Sequence, residues 1–273
     1  MRRFGMVLLG CLAAAFGAGC GGSDTDTGDP TPQFKYPTEA DFCEALAKAE
    51  CSTAVVTACY GSDSMTLADD QASCDTARKG RCNRDQLPYH PELAEACVTA
   101  RGSAIQDAAW THEELAAIEA ACLPVLSKQE SEGAVCEAST DCATADGLLC
   151  VVKLGDIQGV CAKPVVVGGG ESCADPAEVC DVGFYCDPKV SHCLANPKEN
   201  EDCSAAAPCA QDFYCTDTDA GVCTAKTKNG LDCTKDEVCA GGFCVGATAD
   251  VSGKCSSTLP LQITSTACDV YRQ

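Results

Sequence analysis

The sequence is poor in the residues from which large cores and most catalytic centres are built. Aromatics make up only 5% of its 273 residues, with one tryptophan, three histidines and three methionines. So little bulky apolar surface argues for several small units over one large core. No C-x-x-C occurs, which removes the thioredoxin-type redox motif and the commonest zinc spacing. No G-x-S-x-G elbow occurs, and Gly168-Gly169-Gly170 lacks the residues that complete a phosphate loop, so it reads as a hinge. Positive charge is also scarce, with 19 Lys+Arg against 40 Asp+Glu and a formal net charge of −21. That field repels nucleic-acid phosphates, so no nucleic-acid partner is expected.

Cysteine is what the chain has in excess. Its 26 cysteines are the content of a disulfide scaffold in an oxidising compartment. Sixteen of them write one unit four times: Cys136, Cys142, Cys150, Cys161; Cys173, Cys180, Cys186, Cys193; Cys203, Cys209, Cys215, Cys223; and Cys233, Cys239, Cys244, Cys255. The first cysteines stand 37, 30 and 30 residues apart, the signature of an array of small modules. Three residues before each first cysteine comes Gly133, Gly170, Asn200 or Gly230, residue types that enter positive φ cheaply, so one turn is expected to open every copy. Leu149, Tyr185, Tyr214 or Phe243 precedes each third cysteine as an expected apolar plug. Gly159, Ser191, Gly221 or Gly253 precedes each fourth by two, as an expected late turn. A module of this size cannot bury enough surface to fold unaided, and two disulfides would replace the missing core. Four cysteines allow three pairings, and sequence does not choose among them.

Before the repeats lies a helical region. Thr38-Glu39-Ala40-Asp41 begins an apolar periodicity that runs to about Tyr60. Pro91 opens a second helix with Gly102 as its stop, and Thr111 to Glu114 forms a capping box for a third, ended by Pro124. The segment around Cys74 and Cys82 reads as a short helix and a loop. Cys43 and Cys51 are eight residues apart, about 12 Å along a helix, too far to bond to each other, so each must reach another element. Cys43, Cys51, Cys59, Cys74, Cys82, Cys97 and Cys122 are odd in number, so Cys268, beyond the last repeat, is expected to pair back onto this module, the alternative being a free or intermolecular thiol.

At the amino terminus, Arg2 and Arg3 precede an apolar run too short to span a membrane, ending in Gly17-Ala18-Gly19-Cys20. This resembles a bacterial lipoprotein processing site, which implies lipidation of Cys20 and no Arg2 or Arg3 in the mature chain. Gly17 stands where leucine is usual, and Leu8-Leu9-Gly10-Cys11 has the better local motif but too short an apolar region. Glycine, proline, threonine and aspartate then form an expected tether.

The segments FCEALAKAEC and YHPELAEACVTA, the AACLPVL before the first repeat and the EGAVC, DC, LLC, GVC series resemble the cysteine-rich lipoproteins of myxobacteria. The repeats, best in DFYC and GVC of the third copy, are similar to the cysteine-rich motif of Dickkopf amino-terminal domains. By analogy, first-to-third with second-to-fourth is the favoured pairing. The resemblance implies a location in the bacterial envelope, anchored to a membrane, with the outer membrane favoured; it adds no chemistry.

The expected fold class is small and disulfide-rich, with a disulfide-stapled helical module followed by four loop-rich modules with short β-hairpins. Its divisions are a signal peptide 1–19, lipidated cysteine and tether 20–37, helical module 38–130, repeats 131–162, 163–194, 195–224 and 225–256, and tail 257–273. His90 and His112 fall at helix starts and His192 beside Cys193, with no catalytic partners in sequence, and Trp110 is assigned to packing. The expected function is therefore non-catalytic, without cofactor or metal: an anchored binding, adhesion or structural module with an unidentified protein or envelope partner. The alternative is a protease-inhibitor-like protein using the tethered loop 151–160, with Lys153 or Leu154 as the inserted side chain.

Overall fold

The computed structural model describes residues 33–63, 65–152 and 157–272. The chain divides into Met1–Gln33 and Phe34–Gln273, and every element below belongs to the second unit. The signal peptide, Cys11, Cys20 and nearly all of the tether lie outside the described residues. Tyr36 belongs to the folded part, since its carbonyl accepts the Tyr89 hydroxyl at 2.6 Å.

Thr38 caps α1 (Glu39–Glu50) by a reciprocal box with Asp41. The periodicity expected to run unbroken to Tyr60 is interrupted at Cys51, and Ser52 caps a new helix, α2 (Thr53–Tyr60), which Gly61 closes at φ 71°. The polar segment read as a short helix and a loop is a 15-residue helix, α3 (Leu67–Arg81). Its apolar signal is weak because Cys74 is its one fully buried residue. Acids in its first turn and bases in its last oppose the helix dipole favourably. Pro91 opens α4 (Pro91–Ala104) as expected, but the helix continues past Gly102. A Cβ there would touch Ala49 at 3.5 Å, so this glycine lies where α4 packs on α1 and is no stop. After β1 (Ala109–Trp110) comes α5 (His112–Cys122), with the Thr111 and Glu114 capping box in place and Pro124 in the 3₁₀ turn beyond. Cys43–Cys82, Cys51–Cys74 and Cys97–Cys122 staple these helices.

The four repeats are small sheets: β2 (Val135–Cys136), β3 (Leu149–Val151) and β4 (Gly159–Ala162); a parallel ribbon of β5 (Val165–Val167) and β6 (Glu178–Cys180) with a hairpin of β7 (Phe184–Asp187) and β8 (His192–Ala195); β9 (Asp202–Cys203), β10 (Phe213–Cys215) and β11 (Gly221–Ala225); and β12 (Asp232–Cys233), β13 (Phe243–Val245) and β14 (Gly253–Ser256). One frame recurs. Gly133, Gly170, Asn200 and Gly230 all have positive φ, and each N–H donates to the carbonyl of its module's fourth cysteine at 2.7 to 2.9 Å. The fourth cysteine's N–H returns to the carbonyl of the residue just after the turn. Pairing is first-to-third and second-to-fourth in all four: Cys136–Cys150 with Cys142–Cys161, Cys173–Cys186 with Cys180–Cys193, Cys203–Cys215 with Cys209–Cys223, and Cys233–Cys244 with Cys239–Cys255.

Three expectations about the repeats change. The plug is buried in the fourth copy alone, as Phe243, whereas Leu149 is exposed and Leu148 is buried in its place. The module interiors are mostly sulfur, as their size requires. Gly159, Gly221 and Gly253 sit in strands, where a Cβ would lie within 2.5 Å of backbone atoms of Val151, Asp217 and Val245; only Ser191, at φ 54°, is a true turn. Gly169 is no hinge, because a Cβ there would overlap the Phe184 ring.

Modules in an array ordinarily touch mainly their neighbours, yet the fourth repeat and the tail return to the helices. The His112 ring lies on Phe243, 4.1 Å between centroids and 4° from parallel, with Gly242 beneath it. In the tail, β15 (Leu259–Pro260) pairs with β1, and α6 (Asp269–Arg272) carries Tyr271 into the core beside Trp110. Cys59–Cys268 locks this closure.

The first repeat is tied to the helices at Asp141. Its carboxylate accepts Lys128 Nζ at 2.7 Å and the N–H groups of Glu137 and Ala138 at 2.8 and 3.1 Å. Lys128, then the Glu137 N–H, hold its pKa down to about 2 from an ordinary 3.8. A depressed carboxylate stabilises the fold above its unfolded pKa and loses that contribution as pH falls through its folded value. In urea unfolding, Asp141→Asn should therefore be less stable than wild type at pH 7, with the gap closing from about pH 4 to about pH 2. A pH-independent gap would show that ionised Asp141 is not the cause.

Candidate functional site

Among the described residues, the three histidines meet three different sets of neighbours. His90 Nε2 meets the Ser127 carbonyl at 2.9 Å, His112 stacks on Phe243, and His192 Nδ1 meets the Val190 carbonyl at 2.7 Å. Each has a local structural neighbour. Trp110 is buried in the helical core. In every repeat three cysteine sulfurs lie within 4.8 Å of one another, the spacing of a metal site, but all are spent in disulfides and present no thiolate. Lys153 and Leu154 lie outside the described residues; the flanks of their loop are held by β3 and β4, with Ile157 strongly exposed.

What the described surface does offer is apolar and concentrated. Eleven of the seventeen strongly exposed large hydrophobic side chains among the described residues fall between Val135 and Leu194, in the first two repeats. Isolated exposed hydrophobics need no explanation, whereas neighbouring ones form a candidate surface for contact. Neighbours they are: register sets Val135 opposite Val160 on β2 and β4, and Val166 opposite Val179 on β5 and β6. Val166 is 64% exposed and Val179 41%.

The β5–β6 ribbon has unusual geometry for such a place. It is parallel and two-stranded, whereas parallel sheets ordinarily have both faces covered. The Val165 N–H donates to the Ala177 carbonyl at 2.7 Å and the Val167 carbonyl accepts the Asp181 N–H at 2.8 Å. By alternation, the N–H and carbonyl of Val166 point away from β6. Beside the ribbon a groove of about 460 Å³ is lined by Val152, Pro176, Pro188, the Cys173–Cys186 bridge, Asp175 and Glu178. Sequence reasoning missed this surface. Its one signal was the run Val165-Val166-Val167 after Pro164, β-branched enough to predict a strand but silent on exposure.

No family model matches the chain, nor does any curated protein or solved structure. Twelve disulfides among the described residues place it in an oxidising compartment, extracellular or in a cell envelope. Among the described residues, no helix is long and apolar enough to cross a membrane.

Proposed function

We propose that the protein is a lipid-anchored envelope lipoprotein, held on a membrane through Cys20, whose cysteine-rich repeats bind a protein or envelope component without catalysing a reaction. The carrying observation is the concentration of exposed valines on the first two repeats, on backbone that four disulfides hold rigid. Rigid backbone lowers the ordering cost of binding. The acidic balance of the chain favours a partner with positive charge. The apolar stretch ending at Gly19-Cys20 supports the anchor, and acyl chains at about 0.8 kcal/mol per buried methylene would retain the protein firmly.

Two measurements test this. Cys20→Ser should move the exported protein from the membrane pellet to the soluble fraction. The soluble protein should co-sediment with washed envelope from the source cells, and lose that binding when Val135→Ser, Val160→Ser, Val166→Ser and Val179→Ser are combined. Retention in the pellet without Cys20 would refute the anchor; undiminished co-sedimentation of the fourfold variant would refute the binding surface.

A further inference from the structure

We propose that the open edge of β5 docks an extended, basic segment of a partner polypeptide, which adds to the β5–β6 ribbon as a third strand. This rests on the binding reading above and gives the partner its chemistry. An edge strand exposes unpaired main-chain groups that template another strand, and proteins usually blunt such edges with charge, proline or a covering element. The middle of β5 has none of these. Val166 is exposed, and no donor or acceptor among the described residues meets its N–H or carbonyl. A valine-only strand in a parallel ribbon is the pattern of a buried strand, yet both Val165 and Val166 face solvent. A third strand would satisfy the main chain and place an apolar side chain beside Val166, on the face that Val166 shares with Val179.

Charge selects the occupant. Glu178 stands opposite Val165 in the ribbon's register, and it lines the adjoining groove with Asp175. A lysine or arginine one position along the incoming strand, pointing to the opposite face from the apolar residue, meets this acidic side. A second copy fits poorly: it would bring another −21, and three edge residues offer far less than the roughly 1,200 Å² that stable interfaces bury. Main-chain pairing supplies affinity here, and alternate side chains supply specificity.

The probe is a capped hexapeptide, Lys-Val-Lys-Val-Thr-Val, with a Glu-Val-Glu-Val-Thr-Val counterpart, titrated into the exported chain carrying Cys20→Ser. The basic peptide should bind and weaken with salt, and the acidic one should not bind. Val166→Pro removes the outward N–H and the exposed valine side chain together and leaves the hydrogen bonds between β5 and β6 in place, at a position where proline is tolerated on an edge, and should weaken binding about tenfold. Glu178→Gln keeps the acceptor for the Asp175 N–H and should weaken the basic peptide by severalfold. Disulfide mapping and unchanged Trp110 emission establish that the variants are folded. Equal binding by Val166→Pro, equal binding of the acidic peptide, or no binding by wild type overturns the proposal. A Val166-dependent dimer would also overturn it, by assigning the edge to a second copy. If Val166→Pro still co-sediments with envelope while the fourfold serine variant does not, the edge is wrong and the binding reading survives. If both still co-sediment, the binding reading fails too.

Discussion

Glu50→Ala is expected to destabilise the protein by about 3 to 5 kcal/mol, the cost of breaking a buried ion pair and leaving a charge without its partner. Glu50 is the last residue of α1 and is completely buried. One carboxylate oxygen pairs with Arg78 Nε from α3, and the other lies 3.3 Å from Arg101 Nη1 on α4. Three helices therefore converge on one carboxylate. The Arg78 guanidinium also lies over the Tyr271 ring, 5.4 Å from its centroid, so the same group connects the helices to the tail. Tyr271 is almost wholly buried, and that burial pushes its phenol pKa well above the usual value. Removing Glu50 strands Arg78, which has little exposure, and frees it to leave Tyr271. Guanidinium unfolding followed by Trp110, the single tryptophan, reads the loss directly, because Trp110 lies 6.4 Å from Tyr271. A combined Glu50→Leu, Arg78→Met and Arg101→Met variant should recover much of the stability, since apolar residues of similar volume often replace a buried ionic network at little cost. A loss below about 1 kcal/mol for Glu50→Ala, or a triple variant worse than the single, would show that the charges are not what holds this junction.

This network also marks where sequence reading stopped. The capping boxes at Thr38 and Thr111, the proline start of α4 and the opening turn residues Gly133, Gly170, Asn200 and Gly230 are local signals, each carried within four residues, and these form as expected. The parity of the cysteines was enough to send Cys268 back to the helical module, where it pairs with Cys59. The three residues Glu50, Arg78 and Arg101 look like ordinary surface charge on amphipathic helices, because their burial depends on how helices distant in sequence pack. Helix α3 was misread for the opposite reason: it is a good helix with almost no apolar face, held by Cys51–Cys74 and Cys43–Cys82 where periodicity would normally speak. The exposed valine surface was least legible of all. A valine run predicts a strand, and only the topology shows that, among the described residues, no strand pairs with its outer edge.

The replacement of Cys59 and Cys268 together by alanine is expected to cost about 4 kcal/mol of global stability while leaving the repeats folded. The bridge spans 209 residues. Other disulfides shorten that path, but the loop it closes remains on the order of a hundred residues, for which chain entropy gives about 4.7 kcal/mol. By contrast Cys203–Cys215, with a separation of 12, closes a loop worth about 3 kcal/mol on the same scale, and its loss should melt one module locally. The two losses differ in location as well as size. Without Cys59–Cys268 the tail keeps the β1–β15 pairing, the Tyr60 hydroxyl on the Tyr271 carbonyl and the Arg78 contact, so it stays docked under native conditions but opens more readily. Amide exchange should rise across β15 and α6 and in the His112 to Phe243 junction, and stay unchanged in the first three repeats. The guanidinium midpoint followed by Trp110 should fall, and non-reducing peptide mapping should still find the other bridges. An unchanged midpoint would mean that packing alone closes the chain. Loss of protection spread evenly over the repeats would mean that each module depends on this clasp and not on its own two bridges.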